Sequence, residues 1–454
     1  MAIESINPAT GEVVKTFEPH TAEEIEQKIQ AAQEAYRNWR NVSFEERARH
    51  MQKQAEILEN EAEHYGRMIS LEMGKPLKDA VAEVKKCALA CRYYAEHAAE
   101  FMQDTVIASD ASRSLISYEP LGIVLAIMPW NFPFWQAYRF LAPALMAGNV
   151  CLLKHASNVP QSALAIEEIV RKAGFPGNVF QTLLIGSGEV NAVIEHPLVQ
   201  AVTLTGSEGA GAKVGEKAGQ QIKKTVLELG GSDAFIVLED ADLEHASEVA
   251  VKSRMVNTGQ SCIAAKRFIV VESIAGEFLE KMKQKMAQLK TGDPLTDDCD
   301  YGPLARKDLA EDLEKQVQAS LDKGAEVVLD GGRAGKDNAY FKPMILKNVK
   351  PGMPAYDEEM FGPVAAVMVV KDEAEAIKIA NDSRYGLGGA VWTRDPARGL
   401  RVARQVETGA MFVNALVHSS PEMPFGGIKK SGYGRELSYL GIREFVNQKS
   451  IWIA

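Results

Sequence analysis

The sequence predicts a mixed α/β protein built from two parallel-sheet units and one small β element. Three observations carry this expectation. Between residues 122 and 207, continuous Val, Ile and Leu runs alternate with helical patterns, as in a sheet covered by helices on both faces. A second series of the same kind begins near residue 230. The length, 454 residues, exceeds what one hydrophobic core holds, so two or more domains are required.

Residues 6–12, with Pro8 and Gly11, read as an opening hairpin. Thr21 followed by Glu24 is a capping box, and Ile25, Ile29, Ala32 and Tyr36 recur on one face of the helix it starts. The pattern stays helical from 44 to 104. Residues 105–120 (TVIASDASRSLISYEP) alternate β-branched and polar side chains and read as an arm that needs a partner surface. The first βα series then runs strand 122–130, helix 131–148, strand 149–154, helix 160–174, strand 179–185 and strand 201–207. Its counterpart comprises SDAFIVLED, a helix over 243–257, KRFIVVE, a helix over 275–290, AEVVLDG, AAVMVV and GAVWT. The division falls at the Leu-Gly-Gly step, 229–231. The tail VNQKSIWIA (446–454) is a terminal strand expected to extend a neighbour's sheet.

Apolar residues make up 46% and charged residues 25%, ordinary globular proportions. The net charge of −10 opposes non-specific attraction to nucleic acid or anionic membrane. No internal repeat, basic-then-apolar leader or long apolar span is present, so the expectation is a soluble cytoplasmic protein with no membrane or nucleic-acid partner. Of five cysteines, Cys87 and Cys91 are spaced i, i+4 with no second pair; they read as packing residues, and no metal site is expected.

Cys262 lies in NTGQSCIAAKR, where small neighbours (Ser261, Ala264, Ala265) leave its sulfur approachable. A lone cysteine is more often a small buried hydrophobe, so the other segments decide. Glu228 ends an apolar strand before two glycines; it is either a desolvated general base or a strand-end acid in a salt bridge. Asn131, in MPWNFPFW, either aims an amide N–H at a developing oxyanion or caps a helix. In EMFGP, Glu359 and Phe361 suit a ribose and a flat ring, or form a plain acidic turn.

Taken together, PWNFP, the lysine of LLK, residues 205–211, LELGG, GQSC, EEMFGP and PFGGIKKSGYGRE resemble the aldehyde dehydrogenase superfamily from end to end. The resemblance implies a Rossmann-like cofactor domain (1–104 and 121–229), a catalytic α/β domain (230–437) and a β oligomerisation element (105–120 and 438–454), in a homodimer or homotetramer. It implies Cys262 as nucleophile, Glu228 as general base, and Asn131 with the Cys262 backbone N–H as oxyanion hole. Trp130, Lys154, Ser157, Gly206, Ser207, Leu229, Glu359 and Phe361 would bind a nicotinamide dinucleotide.

Lys154 matches the lysine that reaches the adenosine ribose. Three residues on, where many NAD-preferring relatives carry Glu, this chain has Ser157, which leaves space and positive charge for a 2′-phosphate. NADP is therefore expected over NAD. Arg139, eight residues after Asn131, is a cation among Phe134, Trp135 and Tyr138; it is either a carboxylate anchor or a salt-bridged surface arginine. Succinate-semialdehyde dehydrogenases resemble this segment and use the matching arginine, with a serine matching Ser419, to hold the substrate's distal carboxylate. Oxidation of succinic semialdehyde to succinate is thus the favoured reaction. Two departures stand: Val256 where many of those relatives carry a second arginine, and Ala264 where some carry a second cysteine. A broader aldehyde dehydrogenase acting on glycolaldehyde, lactaldehyde or aliphatic aldehydes is the rival. A catalytically silent member is disfavoured because Cys262, Glu228 and Asn131 are all retained.

Overall fold

The computed structural model describes residues 3–295 and 299–454; residues 1 and 2 of the expected first segment and 296–298 of the expected catalytic segment lie outside them. The opening strands are Ile3–Ile6 and Val13–Phe17, paired antiparallel. Thr21 caps helix Ala22–Trp39: its hydroxyl accepts from Glu24 N, and Glu24 Oε2 accepts from Thr21 N at 2.7 Å. Helices Phe44–Asn60, Ala62–Met73 and Leu77–Phe101 fill the next stretch. Cys87 and Cys91, on the last of these, are free and fully buried.

Two sheets organise the rest. The first runs, in spatial order, Gly432–Tyr433, Lys224–Glu228, Val199–Thr205, Ile123–Met128, Val150–His155 and Phe180–Thr182. All pairs are parallel except the first. The last strand is shorter than the apolar run 179–185 suggests. Leu184 leaves the sheet to hydrogen-bond His20, which it meets through both its N–H and its carbonyl.

The second sheet runs Glu326–Leu329, Met344–Lys347, Val364–Val370, Arg267–Val271, Ala234–Val237, Gly388–Trp392 and Ala410–Val413. Only the outermost pair, Glu326–Leu329 with Met344–Lys347, is antiparallel. Its central strands are buried on both faces, with Ile236 and Ile269 in one core and Phe235 and Phe268 in the other. That explains why these segments read as unbroken apolar runs.

The 229–231 step does link a strand of the first sheet to one of the second. The chain then crosses back: Phe425, Leu437, Ile442 and Phe445 pack in the core of the first sheet, and Gly432–Tyr433 pairs with Lys224–Glu228. Between these contacts Ile428–Lys429 pairs with Tyr385–Gly386, so residues 425–437 bridge the two sheets.

Strand Val446–Ile453 pairs along one side with the chain's own Arg113–Pro120, from Val446↔Pro120 to Ile453↔Arg113, and forms the edge of the resulting sheet, so its other side is open among the described residues. Thr105–Ile107 completes this three-stranded sheet. The alternating arm thus gains an eight-residue register within the chain, while Val106, Ile107, Trp452 and Ile453 of the same sheet stay exposed.

Candidate active site

The parallel strands of the first sheet reverse their winding between Ile123–Met128 and Val199–Thr205, the switch point at which open α/β sheets bind ligands beyond their carboxyl ends. A cleft of about 420 Å³ opens there. It brings together Trp130, Asn131, Gly206, Ser207, Leu229, Cys262, Glu359 and Phe361.

Cys262 reaches this cleft by an unusual turn. After helix Leu243–Met255, Asn257 (φ 55°), Thr258 (φ 57°) and Gly259 (φ 78°) are all left-handed. For the two non-glycine residues such conformations cost about 1–3 kcal/mol each and persist where surroundings enforce them. Here Asn257 Nδ2 donates to Asn131 O at 2.7 Å, and a Cβ on Gly259 would stand 2.3 Å from the Gly362 backbone. Beyond the turn, the fully buried Lys266 donates to the carbonyls of Ser261 (2.7 Å) and Cys262 (2.5 Å) and pairs with Glu359 at 3.2 Å. The sulfur is half-buried, and burial pushes its thiol up to about 12, opposed by the charges of Lys266 and Arg139. A thiolate here therefore needs further positive charge.

Asn131 does not cap a helix. The residue before Pro133–Ala147 is Phe132, and Glu83 instead accepts from Phe134 N and Trp135 N at 2.9 and 3.0 Å. Asn131 Nδ2 donates to Gln260 O at 3.0 Å, tying the amide to the residue two before Cys262. Its second N–H stays free to donate.

Glu228 is 2% exposed, and neither carboxyl oxygen has a hydrogen-bond partner among the described residues. Burial, reinforced by Glu436 and opposed by Arg139, holds its carboxyl well above the usual range. The salt-bridge alternative does not hold. Glu228 does not line the cleft; its neighbour Leu229 does.

Arg139 is salt-bridged, as one of its two sequence readings had it, but in the interior and not on the helix surface. It is buried, ion-paired through Nε to Glu436 at 2.6 Å, and lies over the Phe425 ring at 4.4 Å. The partner comes from the GYGRE segment at the other end of the chain, which spacing along one helix does not reveal. Ser419 lines a second, mostly apolar pocket of about 320 Å³ that starts at Ile263, the residue after Cys262. Trp135 Nε1 and Lys86 Nζ donate to its hydroxyl at 3.0 and 3.2 Å.

Several features suit a dinucleotide. Ser207 caps helix Glu208–Gln220, whose N-terminus faces the cleft as anion sites do. Trp130 and Phe361 meet edge to face at 5.8 Å. Glu359 already accepts from Gly231 N at 3.1 Å and pairs with Lys266, yet a carboxylate retains acceptor capacity. Its approach requires Gly230, where a Cβ would stand 2.4 Å from Oε2. Lys154 and the exposed Ser157 lie outside this cleft, at and just beyond the carboxyl end of Val150–His155. Sequence reasoning missed Lys86, Lys266, Arg306 and Glu436; only Lys266 and Glu436 sat inside quoted motifs.

The strand order, the strained cysteine turn and the cleft define a nucleotide-binding α/β enzyme with a thiol at its centre. The chain belongs to the aldehyde dehydrogenase family, whose model matches residues 1–451, and is an oxidoreductase. It is 52% identical over 454 residues, covering all of both chains, to a probable succinate-semialdehyde dehydrogenase (NADP+) of Synechocystis sp.. It is 49% identical over 457 residues, again covering all of both, to succinate-semialdehyde dehydrogenase (NADP+) 1 of Mycobacterium bovis. Among solved structures, succinic semialdehyde dehydrogenase of Streptococcus pyogenes in complex with NADP+ superposes with a TM-score of 0.97 at 40% identity, covering 100% of each chain. Succinate-semialdehyde dehydrogenase of Burkholderia pseudomallei gives 0.97 at 33% identity, covering 100% of this chain and 95% of that one.

Proposed function

We propose that this protein oxidises succinic semialdehyde to succinate with NADP. The observation that carries the proposal is the paired layout at Cys262. The switch-point cleft lies on one side, and on the other an apolar pocket ends at a doubly hydrogen-bonded Ser419. The relatives named above support the substrate and the cofactor alike.

The Cys262 sulfur adds to the aldehyde carbon, and the free N–H of Asn131 and the Cys262 backbone N–H stabilise the oxyanion. Bound nicotinamide supplies the hydride acceptor for oxidation of the adduct to a thioester, and its positive ring supplies the charge that the buried thiol needs. Glu228 rotates toward the cleft, takes a proton from water and directs it at the thioester; its elevated pKa suits a base working near neutrality. Aldehyde, water and NADP+ give carboxylate, NADPH and protons.

Trp130, Gly206, Ser207, Leu229, Glu359 and Phe361 hold the cofactor, with Lys154 and Ser157 at the 2′-phosphate. Ser419 meets the distal carboxylate, and Arg139 lends Nη2, which has no hydrogen-bond partner among the described residues. The six-stranded sheet forms the cofactor unit and the seven-stranded sheet the catalytic one. The arm-and-tail sheet joins subunits of a homodimer or homotetramer, as its exposed Val106 (66%) and Trp452 (59%) suggest. Five free cysteines agree with a reducing cytoplasm.

The broader aldehyde dehydrogenase gains some support from Val256 and from the neutralised Arg139. Comparing kcat/KM for succinic semialdehyde and butyraldehyde, each with NADP and NAD, separates the two. The proposal requires the carboxylated aldehyde and NADP to win clearly; equal values for the two aldehydes would favour the broader enzyme.

A further inference from the structure

The pocket beyond Cys262 is apolar along Ile263, Met411, Phe412 and Phe425 and polar at Ser419. Ser419 Oγ accepts two hydrogen bonds, from Lys86 Nζ and Trp135 Nε1, and makes no donated one among the described residues. A hydroxyl with both lone pairs taken has its proton left to give, and the pocket is where an acceptor can come. The donor behind it is an unusual cation. Lys86 is half-buried on helix Leu77–Phe101, its ammonium 4.4 Å from the centre of the Trp135 ring.

Lys86 forms no ion pair among the described residues. The nearest acid on its own helix, Glu83, is occupied by Lys75, Phe134 N and Trp135 N. Arg139, across the helix interface, is paired with Glu436. Arg139 has its own counter-ion in Glu436, so Lys86 is the cation at this end of the pocket that has none among the described residues. Burial, helped by Arg139, lowers its pKa to about 8, as expected of an ammonium without a counter-ion.

We propose that Lys86 is the specificity-determining cation for the distal carboxylate, acting with the Ser419 hydroxyl that it and Trp135 orient. This deepens the succinic semialdehyde reading and rests on it. The carboxylate accepts the Ser419 proton and sits in the field of the ammonium, which thereby gains the counter-ion the fold withholds. Trp135 fixes the hydroxyl from the other side, so substrates lacking the carboxylate lose this end of the site and nothing else.

The test compares wild type, Lys86→Met and Lys86→Arg on succinic semialdehyde and butyraldehyde. Lys86→Met should raise KM for succinic semialdehyde about ten- to a hundredfold, the range for a lost charged hydrogen-bond partner. Its kcat should change little, butyraldehyde kinetics should be untouched, and Lys86→Arg should recover most of the loss. A wild type without preference for the carboxylated aldehyde defeats the underlying function. A wild type with that preference, unchanged in Lys86→Met, defeats the role of Lys86 alone; so does equal damage to both substrates. If Lys86→Met does not fold, acetylation of Lys86 in the wild-type enzyme decides. Succinate should slow it and butyrate should not, and equal labelling overturns the proposal.

Discussion

Replacing Glu436 by Gln should weaken the fold and move the acid limb of activity in a fixed direction. The Glu436 carboxylate lies 2.6 Å from Arg139 Nε, with the two side chains 4% and 2% exposed. Removing one partner of a buried pair strands the other charge and costs about 3–5 kcal/mol. Glu228, already close enough to feel Arg139, inherits part of that attraction, which puts the loss near the lower end, about 3 kcal/mol. The carboxyl of Glu228 is held high by burial and then by Glu436, against Arg139. The substitution removes the repulsion and frees the attraction, so both changes lower its pKa. Urea unfolding should show the stability loss, and the acid limb of kcat should shift to lower pH. Arg139→Met with Glu436→Leu should regain most of the stability, since apolar replacements of buried pairs are tolerated. An unchanged stability, or a limb displaced to higher pH, would refute the electrostatic reasoning.

Ser157→Glu should lower the NADP/NAD ratio of kcat/KM about ten- to a hundredfold, by placing a carboxylate where the 2′-phosphate is expected; steady-state assays with both cofactors decide. Gly230→Ala sets a methyl 2.4 Å from Glu359 Oε2 and displaces that carboxylate. Its KM for NADP should rise and, because Glu359 is the ion-pair partner of the buried Lys266, urea should unfold the variant more readily; an unaltered KM would remove Glu359 from the cofactor site.

Much of this arrangement is written locally. Apolar runs fix the strands of both sheets, and motif residues such as Asn131, Gly206 and Leu229 lie within three residues of strand ends, where the switch point gathers them. Other features depend on partners that no local pattern names. Lys86 meets Ser419 across 333 residues, and Asn131 is held by Gln260 across 129. Arg139 reads from its helix as a lone cation because its counter-ion arrives only when the chain folds back after Phe425. The tail behaves likewise: one of its edges is paired by an arm whose strand pattern is plain but whose register with the tail is not. Glu228 is the opposite case. A strand-end acid before two glycines is enough to anticipate a desolvated carboxyl, and the unpartnered oxygens agree.

Everything turns on the Cys262 sulfur forming a bond to the aldehyde carbon. The direct measurement is Cys262→Ala assayed for NADP reduction and, separately, for dinucleotide binding. Turnover should fall by at least about a thousandfold while NADP affinity stays within a few-fold of wild type. An alanine variant that still reduced NADP at the wild-type rate on addition of aldehyde would contradict it.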